Sequence, residues 1–182
     1  MLHRKERVPP AQGLAGGTGR GRSPCYAQPP PAPRAGPFMT LTPFHVALQV
    51  RDIEEARRFY SGLLGCREGR SAPEWVDFDM YGHQFVCHLN PRLGASGRLD
   101  ALLNMVDGAD VPVPHCGVVL EPLEWGALAE RLQQHEEIDW VIAPCVRFAN
   151  TAGEQRTMFI RDPSGNALEF KSFQNLALLF AK

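Results

Sequence analysis

The chain has 182 residues, 19 Lys+Arg against 20 Asp+Glu, and 44% apolar residues. That composition suits one folded domain with an appendage and excludes collagen, coiled coil and wholesale disorder. A net charge of −1 lacks the cationic excess of a nucleic-acid binder, and no run of about 18 apolar residues reads as a membrane span.

Residues 1–38 differ from the rest. They hold six cations against one acid (a charge of +5), eight of the 16 prolines and six of the 17 glycines. So little apolar matter cannot offset the entropy of ordering, and the segment is expected to be disordered. It lacks the apolar stretch of a secretory signal. An alternative is that Met39 is the true start and the preceding residues are an over-extended reading frame. Residues 39–182 carry 13 cations and 19 acids, a balance expected of a cytoplasmic domain. The five cysteines (Cys25, Cys66, Cys87, Cys116 and Cys145) are odd in number and form no CxxC pair, so they read as free thiols. Cys87 and Cys116 lie in apolar runs and are expected to be buried.

From Met39 onward the elements come in order. Phe44–Val50 reads as a strand. Asp52 and Glu55 form a capping box opening a helix that buries Ile53, Ala56, Tyr60, Leu63 and Leu64 and stops at Gly65. A short segment follows near Arg67–Arg70, then strands Trp75–Met80 and Gln84–Leu89 around a Tyr81-Gly82 turn. Asn90–Val113, rich in Gly, Pro and Asp, reads as a linker. The order then restarts with a strand at Pro114–Leu120. A helix from about Leu123 to His135 follows, with Leu123, Leu128 and Leu132 inward, and then strands near Trp140–Phe148 and Gln155–Arg161. A turn at Asp162–Asn166 leads to a last strand, Ala167–Lys171. The repetition predicts an α+β fold of two tandem βαβββ modules, about 42–90 and 112–173, forming a cupped mixed sheet with helices on its outer face.

Alternation along the strands selects candidate ligands. If Phe44, Val46, Leu48 and Val50 face the helices, then His45, Ala47 and Gln49 face the other way. By the same parity His115 and Glu169 leave the apolar face of their strands. A lone strand histidine is usually a hydrogen-bonded core residue, and a lone glutamate after a turn is usually solvated. Here the two repeats place histidine at matching positions. Two imidazoles and one carboxylate on one concave face make a facial triad, which suits Fe(II) or Mn(II) and leaves positions open for substrate and dioxygen.

The run FHVALQVRDIEEARRFYSGLLGC and the closing FIRDPSGNALEF resemble the vicinal-oxygen-chelate superfamily of glyoxalase I, bleomycin-resistance proteins, fosfomycin-resistance thiol transferases and extradiol dioxygenases. The resemblance spans about Thr42 to Phe173. YGHQFVCHL, PHCGVVL and GEQRTMFIRDPSGNALEFKSF look most like small predicted extradiol dioxygenases. The resemblance implies that His45, His115 and Glu169 bind the metal, with Fe(II) favoured over Mn(II) or Zn(II). Counted from the turn glycines Gly82 and Gly165, Val86 stands where Glu169 stands, so the fourth carboxylate of glyoxalase-type sites is missing.

That absence favours ring cleavage of a catechol- or hydroquinone-like aromatic by O2 over glyoxalase-type isomerisation. His88, which shares Val86's face, is the candidate acid/base. His83, in the hairpin turn, reads as solvated. Trp75, Asp77, Gln155, Thr157, Phe159 and Lys171 are candidate substrate-binding residues. Asp77 would orient a ligand histidine, and Lys171 would attract an anionic group. The apolar tail Phe173–Phe180 would cap the pocket or meet a second subunit in a homodimer. The alternatives are a Mn-dependent glyoxalase- or thiol-transferase-like enzyme and a resistance protein that sequesters a small molecule.

Overall fold

The computed structural model describes residues 42–180; the N-terminal segment and the Met39 alternative lie outside them. The chain is an α+β fold of two βαβββ modules joined by a hairpin. The first module runs β1 (His45–Val50), α1 (Ile53–Arg57), β2 (Arg67–Ala72), β3 (Trp75–Met80) and β4 (His83–Leu89). The second runs β7 (Cys116–Val119), α2 (Pro122–Gln133), β8 (Asp139–Arg147), β9 (Gln155–Arg161) and β10 (Ala167–Ser172). Each makes its own open four-stranded sheet, in the orders β1-β4-β3-β2 and β7-β10-β9-β8. In both, the first and last strands pair parallel and the others antiparallel.

Asp52 caps α1 by accepting from the Glu55 amide at 2.6 Å. Only half of the expected capping box forms, because the Glu55 carboxylate turns to Arg51, 2.6 Å away. Past Arg57 the helix loosens into a π-helical stretch, Arg58–Leu63, and the chain leaves it through Gly65 at φ 77°. Tyr81 and Gly82, both at positive φ, make the tight turn joining β3 to β4.

The helices cover one side of the two sheets with a single core. Ile53, Ala56, Tyr60 and Leu64 of the first helical segment and Trp125, Leu128 and Leu132 of α2 pack against Val76, Phe78, Phe85, Met158, Ile160, Leu168 and Phe170. The indole of Trp125 donates to the Phe170 carbonyl at 2.9 Å and pins α2 to its sheet. The turn before β10 ties the modules together. Tyr60 donates to Asp162 Oδ2 at 3.0 Å, the Arg51 backbone N–H to Ser164 Oγ at 2.9 Å, and the Asn166 side-chain Nδ2 to the Gln49 carbonyl at 2.8 Å. Among the described residues no helix is long and apolar enough to cross a membrane.

Several expectations fail. Phe44 lies outside β1 and is 68% exposed, and Leu123, in the first turn of α2, is 90% exposed. At both places the chain overshoots the helix–sheet interface, and Trp125, not Leu123, begins the buried stripe. Residues 90–113 are more than a linker: β5 (Leu102–Val106) and β6 (Ala109–Val113) form a hairpin around an Asp107-Gly108 turn. Buried Arg147 of β8 donates to the Val106 carbonyl and holds the hairpin tip. Cys87 is buried as expected, while Cys116 is half-buried.

Candidate metal centre

His115 lies between the hairpin and β7, and Glu169 in the middle of β10. Glu169 pairs with Gly117 on one side and Phe159 on the other, so its side chain leaves the sheet beside His115. His115 Nε2 is 3.5 Å from Glu169 Oε2. Thr157 donates to Glu169 Oε1 at 2.8 Å, and Lys171 Nζ sits 3.1 Å from Oε2. The His115 ring meets Phe159 edge-on with centroids 5.0 Å apart. His115, Glu169 and Lys171 line a hollow of about 290 Å³.

The protonation of His115 follows from its neighbour. Nδ1 is 2.6 Å from the Pro112 carbonyl oxygen, which can only accept, so Nδ1 carries a proton and the neutral ring turns its Nε2 lone pair to the Glu169 side.

His45 lies on the other sheet. It is exposed on β1, and its Nδ1 is 2.9 Å from Gln84 Oε1. Gln84 Nε2 donates in turn to Asp77 Oδ2 at 3.2 Å, the oxygen that also receives Arg70. His45 is absent from the hollow that holds His115 and Glu169, and among the described residues no three His, Cys, Asp or Glu side chains form a metal-sized cluster. The expectation that the three would meet within one chain is therefore corrected. Each module keeps its own sheet, and His45 faces outward from the first.

The remaining candidates separate the same way. Thr157, Phe159 and Lys171 surround Glu169. Trp75 and Asp77 belong to the first sheet, with the Arg70 guanidinium 6.0 Å from the Trp75 ring centroid. Asp77 meets Gln84 and Arg70, not a histidine directly. His88 is exposed opposite Gln49 and Trp75. Gln155 lies apart from the hollow, in a recess of about 100 Å³ near Ser172. His83 is half-buried in the hairpin turn, and its Nδ1 accepts from the Phe44 amide at 2.9 Å. Burial pushes the Cys116 thiol up to about 11 and Cys66 to about 12, so neither is a ready nucleophile. The tail beyond Phe173 stays exposed at Leu176, Leu178 and Phe180.

Three clefts are larger. One of about 410 Å³ runs between Val46–Gln49 of β1 and His115. The other two carry charge pairs. In the one of about 600 Å³ beside α1, Arg51 meets Glu55, and Arg98 and Arg161 share Asp139. In the one of about 430 Å³ beside α2, Arg67 meets Asp79.

Sequence reasoning passed over Gly117. A Cβ there would overlap the Glu169 carbonyl oxygen, so only glycine lets β7 approach β10 closely enough to bring His115 beside Glu169. A glycine inside an apolar strand was the available signal. The registers also confirm the repeat: Ala47 pairs with Val86 as Gly117 pairs with Glu169, and Gln49 with His88 as Val119 with Lys171.

The model of the glyoxalase/bleomycin resistance protein/dioxygenase superfamily matches residues 42–170. The chain belongs to that superfamily. A crystal structure of a glyoxalase/bleomycin resistance protein/dioxygenase from Alicyclobacillus acidocaldarius is 29% identical, with a TM-score of 0.62, over 76% of this chain and 96% of the other. The fosfomycin resistance protein FosX from Listeria monocytogenes shares the fold at 16% identity and a TM-score of 0.54, over 77% of this chain and 98% of its own. So does a glyoxalase/dioxygenase from Nostoc punctiforme, at 18% identity and 0.54, over 79% and 98%. A comparison with curated proteins finds no match.

Members of the superfamily typically bind a divalent metal, and many are enzymes. Two donors that fit one meet here. His115, with Nδ1–H committed to Pro112, offers Nε2 when its ring is neutral, and Glu169 is a buried carboxylate whose Oε1 is anchored by Thr157 while Oε2 faces the hollow beside Lys171. His45 offers an Nε2 of the same kind on the first sheet.

Proposed function

We propose that the protein is a metal-dependent, extradiol-type dioxygenase that cleaves the ring of a catechol- or hydroquinone-like aromatic with O2. Its metal, Fe(II) in the first place and Mn(II) or Zn(II) otherwise, is held by His115 and Glu169 of one chain and His45 of a second copy. The observation that carries the reading is the donor set: two imidazoles with Nδ1–H committed elsewhere, and one anchored carboxylate. Val86 at the position matching Glu169 removes the fourth donor that a proton-shuttling isomerase would use.

A single chain leaves the donor set divided: it presents His115 and Glu169 together and His45 alone on the other sheet, with His45, Ala47 and Gln49 all exposed along β1. The hairpin exposes Leu103 and Met105 on one face of β5 and Leu102 on the other, apolar surface suited to burial against another chain.

When bound, the metal would lower the pKa of the diol and hold it beside dioxygen. Thr157 keeps Glu169 pointed into the hollow, and Phe159 supplies an apolar wall. Lys171 supplies a positive charge for an anionic group on the substrate. His88, on the same sheet as His45, accepts the second phenolic proton and returns it to the product.

The test is Fe(II) loading under anaerobic conditions, followed by metal analysis and oxygen uptake with a panel of catechols and hydroquinones. Stoichiometric iron with oxygen consumption and a ring-opened product is the expected result. Bound metal without oxygen uptake on any substrate would point to isomerase or thiol-transferase chemistry, and absence of stoichiometric metal would point to sequestration.

A further inference from the structure

We infer that Asp77 and Gln84 are positioning residues, a two-member relay that holds His45 as the tautomer able to ligate through Nε2. The inference deepens the proposed metal site and rests on it for the role of His45. The orientation of the Gln84 amide follows from its far neighbour. The Asp77 carboxylate is buried, receives Arg70 and can only accept, so the Gln84 group facing it at 3.2 Å is the NH2. The carbonyl of Gln84 therefore faces His45 Nδ1 at 2.9 Å and requires the proton there. Asp77 dictates the amide, the amide dictates the proton, and Nε2 is left with its lone pair.

Comparison of the modules supports a ligand role over a merely structural bond. His115 reaches the same protonation by a different device, the Pro112 carbonyl at the base of the hairpin. Ala167 holds the place matching Gln84, so the first module uses a side-chain amide where the second uses backbone. His83 serves as an internal contrast. Its Nδ1 accepts from the Phe44 amide, which leaves its proton on Nε2.

The experiment reads the tautomer directly in metal-free, full-length protein carrying 15N-histidine, by long-range 1H–15N correlation. It is run at about pH 8.5, well above the ordinary histidine pKa of about 6.5. His45 is assigned by its loss in His45→Gln. In the wild type His45 should carry its proton on Nδ1 and His83 on Nε2. Gln84→Leu should move the His45 proton to Nε2, the form an imidazole prefers in water, and weaken Zn(II) binding by about 10–100-fold. Asp77→Leu should shift it in the same direction, whereas Asp77→Glu, which keeps an acceptor, should preserve Nδ1–H.

A wild-type His45 protonated on Nε2, or a Gln84→Leu variant with unchanged tautomer and Zn(II) affinity, would overturn the relay. Gln84 lies at the start of β4, so its variant keeps the question open to test should Asp77→Leu not fold. Nδ1–H at His45 in a protein that retains no metal would leave the relay standing and refute the metal reading instead. Tight metal binding with His45 protonated on Nε2 in the metal-free protein would do the reverse.

Discussion

Lys171 Nζ lies 3.1 Å from Glu169 Oε2, the same oxygen that His115 faces at 3.5 Å. An ammonium group thus occupies the side of the carboxylate that a metal would need. Two cations competing for one oxygen repel each other, and the lysine, one-third exposed, can withdraw only toward solvent. Lys171→Met should therefore tighten Zn(II) or Mn(II) binding by roughly tenfold, about 1.4 kcal/mol, with the gain shrinking as salt is added. Titration calorimetry at low and high ionic strength checks it; weaker binding in the variant would show that the lysine supports the site.

A site shared between two copies makes a prediction that a single-chain site does not. His45→Ala and Glu169→Ala should each abolish stoichiometric metal retention. Co-expressed, the two variants should recover metal in about a quarter of the sites. Random pairing makes half of the dimers mixed, and each mixed dimer rebuilds one intact set of ligands. Metal analysis of the co-purified mixture decides the matter, and no recovery would place all three donors within one chain.

Gly117→Ala should disturb the centre without touching a donor atom. The added methyl would overlap the Glu169 carbonyl oxygen, forcing β7 away from β10. Overpacking of this kind costs roughly 1–3 kcal/mol, and the strand shift should part His115 from Glu169. Urea unfolding together with Zn(II) titration measures both effects. Unchanged metal affinity would mean that β7 tolerates the displacement.

Asp162 gives stability a pH dependence. Burial holds its carboxyl above the ordinary aspartate value, opposed in part by hydrogen bonds from Asn166, Tyr60 and the Ser164 amide. A carboxyl whose folded pKa is raised binds its proton more tightly in the fold than in the unfolded chain. The resulting stability is fully present below the unfolded value and is lost as pH rises through the folded one. Tyr60→Phe removes a bond that favours the ionised form, so it should widen that window upward and cost about 1 kcal/mol at neutral pH. Urea denaturation of both proteins across the acid range should show the difference between them narrowing as pH falls.

Much of this was readable along the chain. Periodicity located both helices and eight of the ten strands to within a few residues, allowing for the shorter reading of β2, because one buried face imposes an alternation that survives in the letters. The Gly82 and Gly165 turns aligned the modules and matched Val86 to Glu169, a register the strand pairings reproduce. The hairpin was not readable. Its strands bury little, so Leu102–Val106 shows no alternation, and the prolines and glycines around it have the composition of a linker.

Strand parity is a local property, set by the pleat of each strand, and it was enough to choose His45, His115 and Glu169 from the polar residues of the chain. Which of them meet depends on how one sheet lies against another, and no local rule carries that information. Packing of both helices into one core brings His115 onto Glu169 and leaves His45 facing outward on the first sheet. The protons on the two candidate imidazoles were equally out of reach of sequence. They follow from Pro112 and from the Gln84–Asp77 pair, contacts that exist only once the hairpin and the strands β1, β4 and β3 have come together.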